Sequence, residues 1–261
     1  MSQNIKIVTF NLRSQYIGDG INAFIHRAGL IYDKIRQQKP DVVTFQEVIE
    51  PQYDLLSKLM PEYTFFGQFR EADYRGEGLF TAIRTADWLP IFYDAFWISP
   101  TPHIAASRFE DQSPCPRICV VTGLRHKTSG KFIRVCNIHL DHVGESARVK
   151  GIRCVLDKIV EYEREVSMPI LLLGDFNAEP GSETIQATDA HTAPRLYDLT
   201  GDIPVTFHGY GNEPLCKIDY IYVTETLKNA VRSVYLWDDE MNGIYLSDHY
   251  PVCAEFEMGE I

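Results

Sequence analysis

The chain of 261 residues has no apolar run near the roughly 20 residues that a membrane-spanning helix needs. Its opening, "MSQNIKIVTFNL", lacks the charged, apolar and small-residue succession of a secretory leader, so the expected location is the cytoplasm. The six cysteines, at 115, 119, 136, 154, 216 and 253, form no CxxC pair. That spacing disfavours a zinc site, and it favours buried free thiols over a disulfide framework. Basic runs are absent as well, and the formal net charge is −11. Long nucleic acids are held mainly by Lys and Arg on phosphates, so this balance favours a small substrate over a DNA or RNA track. No repeat, low-complexity tract or Pro/Gly/Ser-rich linker divides the chain, which predicts one domain over residues 1–261.

What is present is an ordinary globular composition, 45% hydrophobic and 23% charged. "IKIVTFNL" and "DVVTFQEV" read as strands. Helical spacing runs from about Asn22 to Gln38, from Tyr53 to Met60, and most clearly from Glu145 to Glu165. Strand signals dominate from Tyr63 to about Leu140 and return in "PILLLGDFN", "CKIDYIYV", "AVRSVYLW" and "YPVCAEFE". Many strands with helices between the halves predict two stacked sheets covered by helices. The irregular stretch from Arg70 to Pro116 is the expected source of substrate-shaping loops.

Polar residues recur where apolar strands stop. "TFNLR" carries Asn11, "TFQEV" Glu47, and "VCNIHLDH" Asn137 and His139. "LLLGDFN" carries Asp175 and Asn177, "KIDYIYV" Asp219, and "YLSDHYPV" Asp248 and His249. Taken singly, each is a turn residue or a satisfied histidine. Together they supply hard oxygen ligands (Asn11, Glu47, Asp248), two imidazoles (His139, His249) and two further carboxylates (Asp175, Asp219). Phosphoester hydrolysis needs such a set: a hard cation on the phosphate oxygens, a carboxylate for the attacking water, and imidazoles for the developing charge. Oxygen ligands without cysteine favour Mg²⁺ or Mn²⁺ over zinc.

In this order "TFNLR", "FQEV", "NIHLDHVGESAR", "GDFNAEP", "IDYIYV" and "SDHYPV" resemble the endonuclease/exonuclease/phosphatase superfamily, from Asn11 to Val252. "HLDHVGESARVKG" is similar to an uncharacterised bacterial branch near the nocturnin-like deadenylases. The resemblance implies an α/β, four-layered sandwich with two mixed sheets flanked by helices. It implies Glu47 as principal metal ligand, with Asn11 and Asp248 in or near the metal shell. Asp175 would activate water, Asn177 would hold that water or a phosphate oxygen, and His139 would donate to the scissile phosphate. Asp219 would fix the tautomer of His249, and Glu77 is a candidate acidic partner of His139.

Arg117, Arg148 and Asn137 are candidate substrate contacts, although Arg148 also suits a surface ion pair. The roles of Asp141 and His142 stay open. His139 and His142, three apart in an extended segment, are expected to face opposite sides. The expected function is hydrolysis of a phosphoester in a small phosphorylated metabolite or phosphodiester. A nuclease and a catalytically silent binding module are the alternatives.

Overall fold

The computed structural model describes residues 4–15, 17–211 and 213–261. In chain order it runs β1 (Asn4–Asn11), α1 (Phe24–Gln38), β2 (Val42–Val48), α2 (Glu50–Leu59), β3 (Tyr63–Phe69), β4 (Gly78–Arg84) and β5 (Trp88–Trp97). Next come β6 (Ile118–His126), β7 (Phe132–His139), α3 (Glu145–Glu165), β8 (Ile170–Asp175), α4 (Glu183–Asp189) and β9 (Tyr197–Asp198). The last part holds β10 (Asp219–Val223), α5 (Glu225–Ala230), β11 (Val231–Leu236), the short hairpin β12 (Glu240–Met241) and β13 (Ile244–Tyr245), and β14 (Val252–Glu257).

Two six-stranded mixed sheets result, ordered β11-β14-β1-β2-β4-β3 and β5-β6-β7-β8-β10-β9. Each is built around one parallel pair, β1 with β2 and β7 with β8. Parallel neighbours need a crossover, and α1 and α3 supply them. Each crossover helix covers the outer face of its own sheet. Phe24, Ile31 and Ile35 of α1 pack with Val8, Phe10, Val43 and Phe45. Ile152, Val155 and Ile159 of α3 pack with Cys136, Ile138 and Leu172. Between the sheets lie Ile5, Ile7, Val42, Val135, Leu171, Leu173, Ile221 and Ala254. The layers are therefore helix, sheet, sheet, helix.

This sandwich explains the continuous apolar runs. A strand covered on both faces has no polar side, so "ILLL" alternates between two cores rather than between core and water. The expected helices are found, with α2 beginning three residues earlier than its periodicity indicated. The short α4 and α5, of seven and six residues, fell below what periodicity resolves. All six cysteines are free, and Cys119, Cys136 and Cys253 are buried. Among the described residues no helix is long and apolar enough to cross a membrane.

The join of β7 and β8 has the least room. Gly174 sits at φ +143°, and a Cβ built there would lie 1.9 Å from the Ile138 carbonyl oxygen. Only glycine fits between β7 and the residue that follows it, Asp175. Replacing Gly174 with Ala should destabilise the fold by about 2–4 kcal/mol in chemical denaturation. An unchanged midpoint would show that β7 yields at this point.

Candidate active site

Strand parity delivers the polar residues to one place. Successive side chains alternate faces, so residues two apart share one. On β1, Ile5 and Ile7 face the other sheet, and Thr9 and Asn11 continue that row. On β8 the row is Leu171, Leu173, Asp175; on β7 it is Ile133, Val135, Asn137, His139; on β10, Val223 and Ile221 lead to Asp219. Each row begins in the apolar space between the sheets and ends in a polar group at the same edge. Asp248 and His249 reach that edge from the segment just before β14.

Glu47 breaks the parity. Val42, Thr44 and Gln46 would form the inward row of β2, leaving Glu47 outward. A register irregularity between Phe45 and Val48, with Glu47 at φ +60°, re-aims the carboxylate. Asn177 likewise sits at φ +49° beyond the end of β8. Left-handed backbone at side-chain-bearing residues is costly and concentrates at functional sites.

Asp175 is the hub. Its Oδ2 accepts from Asn11 Nδ2 at 2.9 Å, and it lies 3.5 Å from His139 Nε2 and 3.9 Å from His249 Nε2. Its Oδ1 accepts from the Asn177 backbone N–H at 2.8 Å. Asn11 also donates to Glu47 Oε1 at 3.1 Å, while its own oxygen accepts from Arg13 N–H. Asn11 thus shows its NH₂ to both carboxylates and bridges them. Glu47 Oε2 accepts from Ser14 N–H at 3.1 Å. Asp248 pairs with Arg13 at 3.3 Å. His249 Nδ1 meets Asp219 Oδ2 at 2.8 Å.

The environment separates the two imidazoles. Burial lowers the basicity of His139, and the neighbouring Arg117 and Arg70 lower it further, so it is held well below the usual histidine range. Burial also opposes charge on His249, but Asp219, Asp175 and Asp248 outweigh it and push its pKa up to about 10. Burial and the Asp219 charge raise Asp175 to about 7. Glu47 stays below its ordinary value despite burial, because His249 and the Asn11 and Ser14 hydrogen bonds favour its charge.

Glu47, His139, Asp175, Asp248 and His249 border a cavity of about 660 Å³ together with Arg117, His142 and Arg148. Arg148 combines both readings, since it lines the cavity while bound to Glu145 at 2.7 Å. His142 corrects an expectation: it and His139 border the same cavity. The strand stops at His139, and Asp141 Oδ2 accepts from the Val143 and Gly144 N–H groups, turning the chain. Asn137 is fully buried between the sheets, with Oδ1 accepting from Gln46 and Nδ2 donating to the Phe45 and Phe80 carbonyls. Glu77 borders the cavity too, gripped by Arg70 at 2.5 Å and Ser14 at 3.0 Å. Sequence reasoning passed over Arg13 and Arg70, although each stands directly after a predicted strand.

Among the described residues, two clusters have ligand atoms within 4.8 Å of one another: Glu47, His139 and Asp175, and Asp175, Asp219 and His249. In the second, Asp219 and His249 already satisfy each other. The first, with Asp248 nearby, is the oxygen-rich set that suits a hard divalent cation.

Fold and cavity together define a layered α/β protein with carboxylates and imidazoles gathered at one sheet edge. The Endonuclease/Exonuclease/phosphatase family pattern matches residues 8–249, and the chain belongs to that family. It is similar to the structure of an endonuclease/exonuclease/phosphatase from Bacteroides vulgatus, with 27% identity and a TM-score of 0.89 over 98% of this chain and 99% of that one. A mannosyl-6-phosphatase from Bacteroides thetaiotaomicron shares the fold at 24% identity and a TM-score of 0.85, over 96% and 98% of the two chains. Human nocturnin is 21% identical over 286 residues, spanning 98% of this chain and 66% of nocturnin.

The Asp219–His249 pair gives a pH signature. Its folded pKa lies above the unfolded value, so the pair stabilises the fold fully below about pH 6.5 and the contribution fades as pH rises through about 10. In metal-free protein, histidine NMR should find His249 protonated at pH 8 and His139 neutral. Asp219→Asn should move the His249 titration down. A wild-type His249 that titrates at an unperturbed value would contradict the pairing.

Proposed function

We propose that the protein is a Mg²⁺-dependent phosphoesterase acting on a small phosphorylated metabolite or phosphodiester. The observation that carries this reading is the convergence of Asn11, His139 and His249 on one oxygen of Asp175 inside the cavity. Glu47 would be the principal ligand of the cation, with Asp248 and Asp175 beside it. When bound, the cation neutralises charge on the phosphate oxygens. Asn11 acts as the bridge that holds Glu47 and Asp175 in place.

The rest of the chemistry belongs to side chains. Asp175, with a pKa near neutrality, takes a proton from the attacking water as its oxygen bonds to phosphorus. Asn177, anchored through its amide to the Leu140 carbonyl, steadies that water or a phosphate oxygen. Neutral His139 donates its N–H to the scissile phosphate. Charged His249, oriented by Asp219, stabilises the negative charge that builds as the bond to the leaving oxygen breaks. Arginines that are mostly committed to carboxylates leave few cations free for a polymer backbone, which favours a small molecule.

Hydrolysis of bis(p-nitrophenyl) phosphate should require a divalent cation and stop in excess chelator. Asp175→Asn and His249→Ala should each lower kcat by about 10²–10⁴-fold. Activity that persists in chelator, or in both variants, would sink the mechanism; silence with every phosphoester tried would favour a binding module. Faster, salt-sensitive cleavage of DNA or RNA than of metabolites would make it a nuclease.

Charge neutralisation also predicts a stability effect. Because the Asp175 pKa is raised on folding, its ionisation destabilises the metal-free fold as pH climbs through about 7. Mg²⁺ should therefore raise Tm more at pH 8 than at pH 5.5. Equal shifts at both values, measured by differential scanning calorimetry, would place the cation away from Asp175.

A further inference from the structure

Two groups of charge border the cavity. Glu47, Asp175 and Asp248 gather at His249 as its acidic end, with Arg13 on Asp248. Arg70, Arg117 and Arg148 border it with His142, and Glu77 and Glu145 pair with two of them. His139 lies 3.5 Å from Asp175 and is acted on by Arg117 and Arg70. Three arginines are more than one scissile phosphate requires, yet they are not equivalent. Arg70 is held by Glu77 at 2.5 Å. Arg148 is held by Glu145 at 2.7 Å and by the Asp141 carbonyl at 3.0 Å.

Arg117 differs. It is 4% exposed, its Nη2 donates to His142 Nδ1 at 2.9 Å, and its Nε and Nη1 have no hydrogen-bond partner. The carboxylates nearest to it are engaged elsewhere. Glu77 is bound by Arg70 and Ser14, and Asp141 by the Ser113 hydroxyl and the N–H groups of Val143 and Gly144. Burial, and the like charge of Arg70, lower the pKa of Arg117 from its ordinary value. A guanidinium nevertheless stays charged at neutral pH. A buried cation whose hydrogen-bonded side-chain partner is a neutral imidazole is unfavourable unless a ligand completes it. The planar fork suits an oxyanion, which it can bind through two nitrogens.

We infer that the substrate carries a second oxyanion, a phosphate or a carboxylate, which sits on Arg117 while the scissile phosphate lies at Asp175. This rests on the phosphoesterase reading and narrows its substrate class to doubly anionic small molecules. Arg117 then sets specificity by positioning the substrate, and His142 orients the guanidinium.

Two measurements test this, and only one needs turnover. In excess chelator the acidic end repels anions, so inorganic sulfate should bind at Arg117. Calorimetry should show that affinity falling by about tenfold or more in Arg117→Met. Should that variant not fold, wild-type crystals soaked in sulfate with chelator decide the point: sulfate on the Arg117 guanidinium supports the subsite, and a cavity without it, or an adventitious ion only, overturns it. With Mg²⁺, wild-type kcat/KM should favour glucose 1,6-bisphosphate or 6-phosphogluconate over glucose 6-phosphate by about tenfold. The bisphosphate and the phosphorylated acid separate phosphate from carboxylate. Arg117→Met should erase the preference, mainly through KM. A ratio near one in the wild type, or a preference that survives in Arg117→Met, overturns the proposal. Arg117-dependent sulfate binding in a protein inert to every phosphoester would remove the hydrolase reading and leave the oxyanion subsite. Hydrolysis without that binding would do the reverse.

Discussion

Four carboxylates, Glu47, Asp175, Asp219 and Asp248, are crowded at one edge between the two sheets, all but Glu47 buried, and the rest of the site answers that crowding. Like charges in a poorly solvated space raise one another's pKa or attract cations. Here both responses are visible. Asp175 is lifted to about 7, and His249 is held protonated with a pKa of about 10. Arg13 closes the set by pairing with Asp248 and Asp19. A divalent cation would relieve what remains. The arrangement thus costs stability in the metal-free protein, as sites built for charge stabilisation commonly do.

The scaffold tolerates this because each half is stiff where it meets the site. The parallel pairs β1/β2 and β7/β8 sit at the centre of their sheets, covered by a helix outside and the other sheet inside. Asn11 on one sheet reaches Asp175 on the other, and Gln46 reaches Asn137 in the same way. These two bridges span the sandwich just below the cavity floor. At the rim three side-chain-bearing residues, Arg13, Glu47 and Asn177, take left-handed backbone. Rigid strands carry the groups there, and the left-handed residues aim them.

The layered fold was legible because its apolar runs are long and its α3 periodicity is strong. The site was legible too, as a list, because every strand bearing a functional group ends in it. What could not be read was direction. Parity places Asp175 and His139 correctly, but it predicts Glu47 on the wrong face, because one left-handed residue reverses the rule. Asn137 shares the inward row with His139, yet one step deeper it meets Gln46 between the sheets, a depth that parity does not reveal. His142 escaped because a turn begins directly after His139, fixed by Asp141 hydrogen bonds that no spacing reveals. Net charge could not show local grouping: a chain of −11 still brings Arg70, Arg117 and Arg148 to one cavity.

That grouping also explains why two imidazoles near the same carboxylate oxygen differ in protonation. His139 and His249 lie 3.5 and 3.9 Å from Asp175 Oδ2, a separation too similar to distinguish them. Their second neighbours do. His139 faces Arg117 and Arg70, which disfavour its charge, whereas His249 is bound to Asp219, which requires it. A gradient of potential across the cavity therefore assigns a neutral donor to one side and a cation to the other. On the proposed function the same gradient would orient an anionic substrate. Its reacting group would lie where a cation can screen the carboxylates, so any further negative charge would be driven to the arginine side. Division of labour between the histidines and selection of the substrate would then be two consequences of one charge distribution.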